Sequence, residues 1–189
     1  MRRKNAAVRA YYHRVLPFYD RELADRGDGP LWEWAAGEAP GCRVLEVGCG
    51  SGRATAFLAR AAAAVTAFDL SPEMLAAARR RLAGLANVRL FAADVRGLRL
   101  RAAFDLVAAV DDPFVHLLAD ADRDRALCAA ARHLAPDGRF VLDAAWLSPR
   151  RRRAAASRAG LAIVHRGAGG LAVREVLHCA SGSRICAVR

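Results

Sequence analysis

Apolar positions along this chain change their rhythm several times, and each change marks an element. Ala6 to Tyr19 carries Val8, Tyr11, Tyr12, Val15 and Leu16 at helical spacing, which predicts a leading amphipathic helix with a break or kink near Pro17. The turn-rich link Gly27-Asp28-Gly29-Pro30 leads to a second short helix over Leu31-Trp32-Glu33-Trp34-Ala35. The pattern then becomes that of strands alternating with helices. A β-rich run, Arg43-Val44-Leu45-Glu46-Val47, ends in glycines and precedes the alanine-rich helical stretch Ala54 to Ala62. The unit recurs as Val65 to Phe68 before a Pro72 to Leu82 helix, as Val88 to Ala92, and as Phe104 to Val110 before an Arg123 to Leu134 helix. A fifth strand, Arg139 to Ala145, follows Pro136-Asp137-Gly138. Such alternation requires right-handed crossovers, hence a doubly wound α/β fold with a mainly parallel sheet and helices on both faces. The tail differs: Leu161 to His165, Leu171 to Leu177 and Arg184 to Val188 are separated by glycine and serine turns, the pattern of an antiparallel meander. We expect one domain of three segments: an N-terminal helical cap over 1–40, an α/β core over 41–148 and C-terminal strands over 149–189.

Composition narrows this picture. A length of 189 residues with 54% hydrophobic content suits a single folded core. The most apolar stretch, Ala54 to Phe68, is broken by Arg60, and no uncharged run approaches the ~18 residues of a membrane span. Arg9, His13 and Arg14 interrupt the residues after the basic start, so no signal-peptide apolar region is present and a cytoplasmic location is expected. Cys42, Cys49, Cys128, Cys179 and Cys186 show no metal-binding spacing; although Cys179 and Cys186 could face each other across a hairpin, reduced thiols and no metal site are expected. The formal charge of +11 raises the question of a nucleic-acid partner. Every basic residue except Lys4 is arginine, and the clusters are spread along the chain without interleaved aromatics, so solvated faces are the favoured reading.

The strongest chemical signal is Glu46-Val47-Gly48-Cys49-Gly50-Ser51-Gly52, where the first strand hands over to its helix. Glycines allow close backbone approach to a ligand, and the helix start presents unpaired N–H groups to an anion. A dinucleotide fingerprint would read G-x-G-x-x-G, but Arg53 stands at its last glycine, which argues against NAD. Glu46 suits a ligand that also carries an ammonium group, so the ligand reads as zwitterionic.

These residues resemble the first motif of class I S-adenosylmethionine-dependent methyltransferases, acid-x-Gly-x-Gly-x-Gly, at every defined position. The resemblance implies a Rossmann-like core binding S-adenosylmethionine, with S-adenosylhomocysteine as product. Gly48, Cys49, Gly50 and Gly52 would hold the methionine carboxylate through their N–H groups, with Glu46 near the amino group. Asp69, at the end of the second strand, would take the ribose hydroxyls; alone it could merely cap the helix begun by Ser71-Pro72-Glu73. Leu70 and Met74 would flank the adenine, although Met74 at helical spacing equally suits the core. Asp94 would accept from the adenine amino group with the Val95 N–H nearby, or else cap its loop. Asp111-Asp112-Pro113-Phe114-Val115-His116 lies past the fourth strand, where Asp111 would border cofactor and methyl group and His116 could act as a general base. A structural His116 is the blander alternative. The segment is faintly similar to the Asp-Pro-Pro-Tyr/Phe motif of amino-methylating enzymes, but Asp112 replaces the first proline, so acceptor chemistry is not carried over. Tyr11-Tyr12-His13 and Phe18-Tyr19-Asp20 resemble the segment that closes over the cofactor in small-molecule methyltransferases, and Tyr19 is its candidate site residue.

The resemblance covers about Tyr11 to Trp146. The family pattern continues through a sixth strand and an antiparallel seventh, whereas this sequence ends soon after its meander. Either the meander is the acceptor-side sheet found in relatives and the last strands are lacking, or it takes their place. The expected activity is methyl transfer to a nucleophilic N, O or C atom of a small molecule, by a monomer or homodimer. RNA or protein methylation, and a truncated, non-catalytic cofactor-binding protein, are the alternatives.

Overall fold

The computed structural model describes residues 2–22, 29–37, 41–143, 161–169, 172–179 and 184–188. Its backbone divides into two compact units, Met1–Asp94 and Val95–Arg189.

The first unit runs α1 (Arg2–Glu22), α2 (Gly29–Gly37), β1 (Arg43–Val47), α3 (Arg53–Ala61), β2 (Ala64–Asp69), α4 (Pro72–Arg81) and β3 (Val88–Ala92). β2 pairs in parallel with β1 on one side and β3 on the other. Val44, Leu45, Glu46 and Val47 of β1 are all buried, so both faces of that strand are covered, which is why it reads as a continuous run and not as an alternation. Leu58, Phe68, Leu75 and Ala78 complete the core. Ser71 accepts the Met74 N–H at 3.2 Å with Pro72 in the first turn, so α4 begins where the serine-proline pair predicts. The helix α1 continues through Pro17 to Glu22, past the expected end at Tyr19. Its last turn is held from outside by Asp20, whose carboxylate meets Ser51 and Arg81. Similarly, α2 starts at Gly29, inside the expected turn.

The second unit contains a 3-10 turn (Val95–Gly97), β4 (Phe104–Ala109), α5 (Asp120–Arg132), β5 (Leu134–Asp143) and the strands β6 (Leu161–Gly169), β7 (Ala172–Cys179) and β8 (Arg184–Val188). β4 and β5 are parallel. The helix begins three residues earlier than expected, with Asp120 and Asp122 in the first turn where the dipole favours acids. It also ends earlier, because His133 is tied to two backbones: Nδ1 lies 2.6 Å from Ala129 O and Nε2 accepts the Leu100 N–H at 2.8 Å. Leu134 already pairs with Phe104, and the register then jumps so that Leu106 faces Arg139. The expected Pro136-Asp137-Gly138 turn is thus a bulge within β5, with Asp137 at φ 62°. The far end of the predicted fifth strand, at Ala144 and Ala145, lies outside the described residues. In the tail, β7 is antiparallel to both β6 and β8, and Cys186 stands opposite Val176 in register, not opposite Cys179. Units of parallel strands joined by helices make this a Rossmann-like α/β fold.

Candidate functional site

Parallel sheets of this class present ligand residues at the carboxyl ends of their strands. All three strands of the first unit end on an acid: Glu46 is the penultimate residue of β1, Asp69 the last of β2, and Asp94 follows β3 by two residues.

Glu46 is 1% exposed, and neither its Oε2 nor Thr55 Oγ1 has a hydrogen-bond partner among the described residues. Burial pushes the Glu46 carboxyl up to about 7; the Thr55 hydroxyl, near although outside hydrogen-bonding geometry, favours the charged form, Asp69 opposes it and Arg53 supports it. Burial also raises the Cys49 thiol well above its ordinary value, with the charges of Glu46 and Asp69 adding to the effect.

Gly48, Gly50 and Gly52 adopt φ of 70°, 53° and 81°, the left-handed region that favours glycine. Their N–H groups are not left open. Those of Gly48 and Cys49 donate to Phe68 O at 2.9 and 3.0 Å, that of Gly50 to Asp69 Oδ2 at 2.9 Å, and that of Gly52 to Cys49 O at 2.9 Å. These hydrogen bonds fold the loop onto β2. Gly52, in the left-handed region, caps α3 without a side chain.

Asp69 anchors the loop through Gly50 while its Oδ1 accepts the Ser71 N–H at 2.8 Å. Each oxygen keeps a further lone pair. Burial raises its pKa, and the backbone N–H groups of Ser71, Gly50 and Leu70 counter this. Leu70 is half-buried. Met74 is fully buried beside Leu75 and Ala78, as the core alternative expects.

The helix α1 spans this whole edge. Asn5 Nδ2 donates to Asp94 Oδ2 at 2.9 Å, and Arg9 Nε to Leu70 O at 3.0 Å. Tyr12 and Tyr19 meet edge to face at 5.9 Å, and the Tyr19 hydroxyl would stand 3.4 Å from a Cβ at Gly50. At the far end Ser51 Oγ donates to Asp20 Oδ1, while Arg81 donates to Ser51 Oγ at 2.8 Å and pairs with Asp20 Oδ2 at 2.7 Å. Asp20 and Ser51 lie within segments the sequence singles out, but no sequence signal points to Asn5, Arg9 or Arg81. Arg81 sits in an arginine run that reads as solvated, and nothing local marks Asn5.

In the second unit, Val95 opens the 3-10 turn. Asp111 and Asp112 both have positive φ, 61° and 50°. Consecutive left-handed non-glycine residues cost free energy and concentrate at functional sites, and aspartate tolerates the region better than most. Pro113 opens no regular helix; single turns close instead from Val115 N to Asp112 O and from Leu117 N to Phe114 O. Phe114 pins the segment in the core against Phe140, and His116 is half-buried between exposed Val115 and buried Leu117. Burial lowers the His116 pKa, so its imidazole is neutral at neutral pH.

A methyltransferase-domain family model matches residues 44–138, from β1 through the bulge of β5. The chain belongs to the class I S-adenosylmethionine-dependent methyltransferases. It is 36% identical over 147 residues to a demethylmenaquinone methyltransferase of Tropheryma whipplei (strain Twist), a match that takes in 72% of this chain and 58% of that protein. The chain thus spans less than two thirds of that relative's length. Among solved structures it is similar to a TehB-like methyltransferase from Corynebacterium glutamicum, with TM-score 0.67, 25% identity and coverage of 83% and 86% of the two chains. It also resembles an S-adenosylmethionine-bound amino pentose methyltransferase from Micromonospora echinaspora, with TM-score 0.56, 29% identity and coverage of 89% and 74%. Among the described residues of this family member, no helix is long and apolar enough to cross a membrane.

Proposed function

We propose that this methyltransferase transfers the methyl group of S-adenosylmethionine to a nucleophilic N, O or C atom of a small-molecule acceptor and releases S-adenosylhomocysteine. The observation that carries the reading is the row of three acids at the carboxyl ends of β1, β2 and β3. The relatives' own acceptors, a demethylmenaquinone and an amino pentose, support a small molecule.

The residues present fit the cofactor. Glu46 brings a buried carboxylate oxygen that no described group hydrogen-bonds, which suits an ammonium. Asp69 has lone pairs left for ribose hydroxyls, and Asp94 suits the adenine amino group, with the Val95 N–H next in the chain and Leu70 along the ring. The start of α3 faces the carboxylate. When bound, S-adenosylmethionine supplies an electrophilic methyl whose C–S bonding pair returns to sulfur as the acceptor's lone pair forms the new bond.

The chain's part is alignment and exclusion of water more than strong acid–base work. Tyr19, with its hydroxyl at Gly50, is proposed to border the methyl donor. On the second unit, neutral His116 takes the acceptor's proton where the nucleophile carries one, and Asp111 supplies a polar contact. A cytoplasmic location and a monomeric or homodimeric state belong to the same reading, which rests for them on the sequence.

Calorimetry tests the core of this. S-adenosylhomocysteine should bind and raise the melting temperature, whereas NADH should not bind. Asp69→Ala should weaken binding by about 1.5–3 kcal/mol, the scale of hydrogen bonds to a charged group, with the fold retained by circular dichroism. Binding of NADH in place of S-adenosylhomocysteine would sink the proposal, and cofactor binding without turnover on quinols and amino sugars would remove its catalytic half.

A further inference from the structure

The two ends of α1 are attached to the first unit in different ways. Near its carboxyl end, Asp20, Ser51 and Arg81 form a closed set of contacts among α1, the glycine loop and the end of α4. None of the three is a nucleotide-binding candidate, so this end serves as an anchor. At the amino end the contacts fall on candidate ligand positions. Asn5 and Arg9, one helical turn apart on the same face, reach Asp94 Oδ2 and the Leu70 carbonyl.

The Asn5 contact matters because of its chemistry. A carboxamide nitrogen and the exocyclic amino group of adenine are both planar –NH2 donors on sp2 carbon. The Asn5 nitrogen lies 2.9 Å from Asp94 Oδ2, an ordinary hydrogen-bond distance. We propose that Asn5 is a built-in competitor for the adenine subsite: its side chain stands against Asp94 Oδ2 in the place where the nucleotide's amino group would approach that carboxylate, so the amino end of α1 swings away about the Asp20–Ser51–Arg81 anchor before the cofactor seats fully. The inference rests on the reading of Asp94 as the adenine acceptor. It makes α1 a strap with one permanent and one displaceable end, and the displaceable end sets affinity and association rate.

Removing the competitor should therefore improve binding. In calorimetric titration with S-adenosylhomocysteine, Asn5→Ala should lower Kd about three- to tenfold, the range of one net hydrogen bond, mainly through faster association. Asn5→Asp, which sets a like charge against Asp94, should tighten binding in the same direction and serves as an independent variant if the alanine helix frays. In the cofactor-free protein, trypsin should cut after Arg9 faster in either variant than in the parent. An unchanged or weakened Kd in both variants overturns the competitor and makes Asn5 a neutral or cofactor-holding residue. Asp94→Ala in the Asn5→Ala background separates the two assumptions. A loss of tenfold or more confirms Asp94 as the adenine acceptor whatever Asn5 does, and an unchanged Kd removes Asp94 from the site.

Discussion

A Cβ added at Gly50 would meet the Tyr19 hydroxyl at 3.4 Å, whereas one added at Gly52 would stand 2.8 Å from Leu82 Cδ1 and 3.3 Å from Ala78 Cα. Both have positive φ, so both substitutions strain the backbone, yet what they press on differs. Gly52 lets α4 approach the loop; Gly52→Ala should cost roughly 1–3 kcal/mol in urea unfolding and change S-adenosylhomocysteine affinity little among molecules that remain folded. Gly50 faces the strap; Gly50→Val should lower cofactor affinity more than tenfold, with a smaller loss of stability. Equal effects of the two on binding would show that the loop acts as one cradle. The sequence shows three glycines in a row of alternate positions and cannot distinguish them, because the distinguishing neighbours are tens of residues away along the chain. The same reason hides Asn5 and Arg81, whose roles exist only once α1 and α4 are docked.

Among the elements, those with a strong local rule were legible and those held by distant contacts were not. β3 runs over Val88–Ala92 as the pattern predicts, and α4 starts at Pro72 because serine and proline build that cap without help. By contrast α1 runs past Pro17, since the ties of Asp20 outweigh the lost hydrogen bond, and the helix before β5 stops short because His133 is taken by Leu100. Another such tie joins the 3-10 turn to α5. Arg96 pairs with Asp122 at 3.1 Å, with side chains only 5% and 12% exposed, while Arg125 reaches the other Asp122 oxygen at 3.2 Å. Losing Arg96 leaves the buried Asp122 with Arg125, whose side chain is largely exposed, so Arg96→Ala should cost about 1–3 kcal/mol in denaturant unfolding. The double variant with Asp122→Ala should recover part of that loss; a strictly additive double variant would show that the pair is not coupled.

At the scale of the whole molecule, pH acts on stability through buried acids. Glu46 titrates near 4.5 in the unfolded chain and about 7 when folded, so between those values the native state holds a proton that the unfolded state has released. The stabilisation is complete below pH 4.5 and is lost as pH rises through 7; Asp69, also raised, acts in the same direction. Glu46→Gln should flatten this dependence and, at pH 8, make the cofactor-free protein more stable by up to about 3 kcal/mol. A parent whose melting temperature rises from pH 5 to 8 as steeply as the variant's would refute the assignment. The alternation of strands and helices, and hence the fold class and the edge that carries the acids, was legible because it depends only on period and on glycine placement. The unsatisfied state of Glu46 was not, since a sequence shows an acid without showing what surrounds it. The tie between Leu100 and His133 sets a timescale. The Leu100 amide belongs to a stretch with no regular hydrogen bonding of its own, yet it ends on His133, which is 1% exposed. In deuterated solvent that amide should exchange as slowly as those inside β4, through cooperative opening and not loop fluctuation, and its protection should collapse in His133→Ala while neighbouring loop amides stay fast.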